Sequence, residues 1–117
     1  MYTHIWNKYL PVIRILLKKS AKEAQSLNFN VSDFEKIGPQ KKTGFNFTLE
    51  FSKGRVYNLA GLSSPAKELL AVLSQDTLTN QLLQRGEYHL TMNSKFVLGV
   101  QLISSYQEEP QLLEAEY

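Results

Sequence analysis

The amino-acid sequence predicts an α+β fold: an antiparallel four-stranded sheet made of two hairpins, with a long N-terminal helix and a second amphipathic helix on one face. Three patterns predict it: apolar residues at helical spacing near the start, two segments that alternate apolar and polar residues around tight turns, and a Ser-Pro helix start between them. At 117 residues and 43% hydrophobic content, the chain has room for one domain. We place this domain at residues 1–103 and an acidic tail at 104–117.

The first helix is predicted from about Lys8 to Leu27. One apolar stripe at spacings of three and four defines it: Trp6, Leu10, Ile13, Leu17, Ala21, Ala24 and Leu27. Further apolar residues widen this stripe over the first turns, so the helix should need cover on more than one side. Pro11 should lie near the helix start, because farther in it removes a backbone hydrogen bond; a kink is the alternative.

The first hairpin follows a short helical turn, expected from Asp33 to Ile37. Along the first strand, Phe45, Phe47, Leu49 and Phe51 alternate with polar residues, which is typical of a strand with one buried face. Lys53-Gly54 forms the turn, where glycine permits a positive φ, and Arg55 to Ala60 forms the returning strand.

The second helix begins with Ser63 or Ser64 as its N-cap and Pro65 at its first position. Asp76 should cap a short helix from Thr77 to Arg85. Alternation resumes between residues 87 and 103, with a turn at Asn93-Ser94, and predicts the second hairpin.

The stretch KTGFNFTLEF, residues 42–51, resembles the strand on which the RNA-recognition fold stacks bases. In that fold both faces of the strand carry apolar residues. Here the opposite face consists of Asn46, Thr48, Glu50 and Ser52, which cannot form a core. The phenylalanines should therefore be buried, and base stacking on them is not expected.

Catalytic motifs are incomplete in this sequence. Ser64-Pro65-Ala66-Lys67 has the S-x-x-K form and residues 42–44 read K-T-G, but the S-D-N element lacks its asparagine and the order is permuted. A helix cap explains the same serines without these departures from the motif, and we prefer it to a nucleophile. His4 and His89 have no partner at metal-ligand spacing along a helix. We expect no enzyme activity, no cofactor and no metal.

The near-neutral charge argues against a strongly basic nucleic-acid arm and an acidic solvating protein, and the absence of cysteine excludes disulfides and thiolate zinc sites. Thirteen Lys and Arg against eleven Asp and Glu give a net charge of +2, and there is no cysteine. The apolar residues near the N-terminus are interrupted by Asn7, Lys8 and Arg14, so no run of about 20 apolar residues could span a bilayer. A cytoplasmic protein without a membrane span is the expectation.

Two functional hypotheses follow. The first is a small noncatalytic interaction module, a homodimer or the binder of a protein partner, that uses the apolar N-terminal helix. Its interface candidates are Trp6, Tyr9, Ile13 and Leu16. The alternative is a module for nucleic acid or another polyanion. Its basic residues are Lys18, Lys19, Lys22, Lys41, Lys42, Lys53 and Arg55.

Overall fold

A computed structural model describes residues 2–23, 25–36 and 45–106. The helices are α1 (Thr3–Glu23), α2 (Ser64–Gln75) and α3 (Thr77–Leu83), and a short 3₁₀ helix spans Ser32–Lys36. The strands are β1 (Leu27–Asn30), β2 (Phe47–Ser52), β3 (Arg55–Ala60), β4 (Gly86–Met92) and β5 (Val97–Ser105). The α+β class is confirmed.

The described strands form one antiparallel sheet of five strands, in the order β1-β5-β4-β2-β3. The prediction of four strands is wrong, because it extended the first helix to Leu27 and so missed β1. In the structure Leu27 lies opposite Val100 and Phe29 opposite Leu98. A strand of only four residues takes most of its stability from such a partner, which is distant in sequence.

Helix α1 begins earlier and ends earlier than predicted, at Thr3 and Glu23. Pro11 therefore lies inside the helix and not near its start. Proline cannot donate a hydrogen bond to the carbonyl of residue Asn7. Both residues are exposed, so water can reach this part of the helix.

The helices lie against one face of the sheet. Helix α1 packs mainly on β5, α2 on β2 and α3 on β4. The inward side chains of β2 confirm the alternation, since Phe47 is 4% exposed, Leu49 0% and Phe51 2%. The phenylalanines that resembled a base-stacking strand are core residues.

An aromatic cluster joins the start of α1 to the sheet. The Trp6 ring lies 4.9 Å from Phe34 and 6.2 Å from Phe47, measured between ring centroids. The indole N–H of Trp6 donates to the backbone oxygen of Pro65 at 3.0 Å, which satisfies its only donor. This bond fixes the start of α1 beside the start of α2.

Candidate interaction surfaces

The four interface candidates on α1 are covered by the chain itself to different degrees. Trp6 and Ile13 are fully buried, whereas Tyr9 and Leu16 are partly buried and pack against the core. The Tyr9 hydroxyl donates to Asp33 at 3.1 Å. Trp6 and Ile13 are covered within the chain and have no surface to offer a second copy.

The basic residues are distributed over distant elements. Lys18, Lys19 and Lys22 are exposed near the end of α1, which packs over β5 and β1. Lys53 and Arg55 lie at the turn between β2 and β3, toward the opposite edge of the sheet. Lys41 and Lys42 lie outside the described residues. The described basic residues thus come from two elements, α1 and the β2–β3 turn, that lie toward opposite edges of the sheet.

The outer face of the sheet, opposite the helices, carries a polar network. Its central residue is Glu50, which accepts from the Asn58 amide at 2.8 Å and lies 3.5 Å from His89 Nε2. These partners come from β3 and β4, which flank β2. The sequence could not reveal the His89–Glu50 contact, because the two residues are separated along the chain and meet only through strand pairing.

A second group of polar contacts lies toward the end of β5. The hydroxyls of Ser52 and Tyr106 lie 2.7 Å apart, and Tyr106 also donates to Glu87 at 3.4 Å. Partial burial raises the pKa of Tyr57, and the negative charges of Glu50 and Glu87 raise it further. Tyr57 is 55% exposed and, unlike its neighbour Val56, is not packed against the core, so it lies on this outer face as well. Within each of the two groups, around Glu50 and around Tyr106, the polar side chains already contact one another.

A cavity of about 360 Å³ lies between α1 and the 3₁₀ helix. It is lined by His4, Ile5, Lys8, Asp33 and Lys36. Lys8 and Lys36 lie 2.7 and 3.5 Å from the Asp33 carboxylate, and the hydrogen bond from Lys8 lowers the pKa of Asp33. Because a carboxylate already lies between the two ammonium groups, the cavity is a poor site for an added anion.

The described residues contain no group of three or more His, Cys, Asp or Glu side chains that could hold a metal ion. Ser64 and Lys67 are both exposed at the start of α2. The K-T-G sequence lies outside the described residues. Within the described ranges, no helix combines the length and apolar character needed to cross a membrane.

Strand β3 forms one edge of the sheet, and apolar side chains are exposed on and beside it. Its burial reads exposed, half-buried, exposed, exposed, half-buried, exposed from Arg55 to Ala60. The half-buried residues, Val56 and Leu59, pack against the core, while Tyr57 is 55% exposed. Just after the strand, Leu62 is 64% exposed. Two of the most exposed large hydrophobic side chains thus lie on or beside this edge.

A turn and a bulge shape β3. The turn residues Lys53 and Gly54 have φ of 54° and 81°, the positive values that a tight hairpin needs. Farther along, Val56 lies opposite Phe51 and Asn58 opposite Glu50, which leaves Tyr57 as the extra residue of a bulge. The sequence predicted the strand and its turn correctly. It carried no signal for the bulge.

Comparison of the chain with models of protein families, with curated proteins and with solved structures gives no match in any of the three.

Proposed function

We propose that this chain is a small noncatalytic interaction module that binds a protein partner by adding a strand to its sheet at β3. The supporting observation is the combination of an edge strand with exposed apolar side chains, Tyr57 on the strand and Leu62 beside it. An edge strand presents unpaired backbone donors and acceptors, and an extended segment can pair with them.

The inner side of β3 adds to this surface. Val56 and Leu59 point toward the helix layer but remain half-buried. The described helices pack chiefly on β5, β4 and β2, and none has an extensive contact with β3. An added strand would cover both side chains and bury apolar area that the chain leaves in water.

The two edges of the described sheet differ in what they offer. The other edge, β1, has four residues, Leu27–Asn30, of which two are asparagine. β3 has six residues and a single charged side chain, Arg55, at its start. Short length is one of the usual protections of an edge against pairing, and β3, with two residues more than β1, has less of this protection.

The test is photo-crosslinking from the edge in cells that express the chain. A photoreactive phenylalanine analogue replaces Tyr57, or replaces Ile15 on α1, which is 53% exposed, as a matched control. We expect position 57 to give a crosslinked protein adduct and position 15 to give none. The adduct from position 57 should disappear when Leu59→Lys or Leu62→Lys is added. Folding of each variant is checked by thermal melting.

Two results would contradict the proposal. One is the lack of any adduct from position 57. The other is an adduct that persists in a folded Leu59→Lys or Leu62→Lys chain. Leu62 is exposed, so its replacement should not disturb the core even if Leu59→Lys does.

A further inference from the structure

We infer that the added strand is β3 of a second copy, paired antiparallel about a two-fold axis so that the two sheets form one. This inference rests on the proposed function, since it names the partner at the same edge. It would give a continuous sheet with five strands from each copy. Two-fold pairing of identical surfaces is the commonest way in which a chain associates with itself.

The bulge makes β3 complementary to itself. In a regular six-residue strand the side chains alternate between the two faces of the sheet, so the order of faces differs when the strand is read backwards. Because Tyr57 is an extra residue, the burial pattern of β3 reads the same in both directions. In an antiparallel self-pairing centred between Tyr57 and Asn58, every residue then meets one on its own face of the sheet.

That register also pairs compatible side chains. Val56 lies opposite Leu59 of the other copy, so the half-buried apolar residues meet twice by symmetry. Tyr57 lies opposite Asn58 on the outer face. The only charged residue of the strand, Arg55, lies opposite Ala60 and not opposite its own copy. A register shifted by one residue in either direction would oppose inner and outer residues.

The same feature argues against an unrelated strand as the partner. Bulges interrupt regular pairing and are one way in which proteins protect sheet edges. A regular foreign strand would match the faces of β3 on only one side of Tyr57. A second copy has the same irregularity at the matching place.

The first test changes the charge at Ala60, which is exposed and should tolerate replacement. Ala60→Lys places a lysine opposite Arg55 twice in the dimer, and Ala60→Glu places a carboxylate there. At about 0.2 to 1 kcal/mol for each cross-strand pair, we expect Ala60→Lys to weaken and Ala60→Glu to strengthen dimerisation by roughly 2- to 30-fold in Kd. Sedimentation equilibrium measures this, and the double variant Arg55→Glu/Ala60→Lys should restore affinity.

The matched controls are Asn28→Lys and Asn28→Glu, at an exposed position on the β1 edge. They make the same charge changes and should leave the dimer affinity unchanged. Equal effects at positions 28 and 60 would show that net charge matters and would overturn the register.

The second test uses the absence of cysteine in the chain. Tyr57→Cys and Asn58→Cys proteins are mixed and oxidised. The register predicts a mixed disulfide between the two variants, because opposite residues, with Cβ atoms about 4.5 to 5.5 Å apart, come closer to the spacing of a disulfide than diagonal neighbours do. Each variant alone should link poorly. Faster linking within either single variant would overturn the inference.

The outcomes separate this inference from the proposed function. If the wild-type protein remains a monomer at high concentration while position 57 crosslinks a different protein in cells, the second copy is the wrong partner and strand addition at β3 stands. If the monomer gives no adduct either, both are wrong.

Discussion

Arg14 and Asp76 form a two-point ion pair between α1 and the junction of α2 and α3. Arg14 Nε donates to Asp76 Oδ2 at 3.2 Å, and its Nη2 donates to Oδ1 at 3.3 Å. The same carboxylate caps α3, since Oδ2 accepts from the Thr79 backbone N–H at 3.0 Å and from its hydroxyl at 2.6 Å. One side chain therefore connects three helices.

Replacing Asp76 with alanine should lower the free energy of unfolding by about 0.5 to 2 kcal/mol for the lost cap. Asp76→Asn keeps an acceptor for the cap and should cost less. Ser63→Ala is the matched comparison, because Ser63 is the N-cap of α2 but makes no cap bond and its hydroxyl oxygen is buried without a partner. Removing that oxygen should change stability by less than about 0.5 kcal/mol or increase it. Urea denaturation of the three variants measures this, and an equal loss for Ser63→Ala and Asp76→Ala would contradict it.

Stability should fall in acid partly through Asp76. The hydrogen bonds from Thr79 and Arg14 hold the pKa of Asp76 below its ordinary value. A carboxyl with a lowered pKa in the folded state stabilises the fold fully above its ordinary pKa, about 3.9, and loses this contribution as the pH falls through the lower value.

Thermal melting of the wild type between pH 5 and pH 2 should therefore show a steeper loss below about pH 4 than Asp76→Asn shows. The loss of stability in acid that remains in Asp76→Asn includes the contribution of Asp33, whose pKa is lowered by its hydrogen bond from Lys8. Identical pH profiles for the two proteins would refute the role given to Asp76.

Two isoleucines on α1 provide a matched test of how this helix is covered. Ile13 is 0% exposed and Ile15 is 53% exposed. Ile13→Glu places a carboxyl group without a partner in the core. We expect the chain to unfold, or to stay folded with a raised pKa of the new carboxyl group at a large cost in stability. Ile15→Glu should change the free energy of unfolding by no more than about 0.5 kcal/mol. A folded, stable Ile13→Glu protein would show that α1 is not packed as the structure has it.

The buried position of Phe47 predicts that its loss affects folding and not nucleic-acid binding. Phe47→Ala should destabilise the fold by about 3 to 5 kcal/mol. Tyr57→Ala on the outer face is the comparison, and it should stay within about 0.5 kcal/mol. Denaturation and RNA titration of both variants measure this. A stable Phe47→Ala chain that specifically lost RNA binding would overturn the burial of this strand face.

Much of the fold could be predicted from local patterns, because turns and helix caps depend on residues that are close together in the sequence. β3 has its predicted bounds, and Asp76 caps α3 as predicted, since each depends on a turn or a cap within a few positions. β1 was missed because its four residues depend on β5. The sequence predicts the start of α1 too late, because proline is typical of a first helical turn, whereas in the structure Trp6 is buried in the helical turn that precedes Pro11.

The interaction surface could not be predicted from the same patterns. The first helix has the most apolar stripe, and sequence alone gives no measure of how much of it the other elements cover. The structure buries Ile13 and leaves Tyr57 exposed. The bulge, which places Asn58 on the outer face beside Tyr57, follows from the register between β2 and β3, and that register is visible only once the strands are paired.

The most direct test of strand addition at β3 is hydrogen exchange of backbone amides, measured on the purified wild-type protein over a range of concentrations. If a second copy pairs with this edge, amides within Arg55–Ala60 should become more protected as the concentration rises, while those of Leu27–Asn30 on the opposite edge should not change. Exchange at β3 that is independent of concentration, or protection that appears on α1 instead, would contradict self-association through this strand.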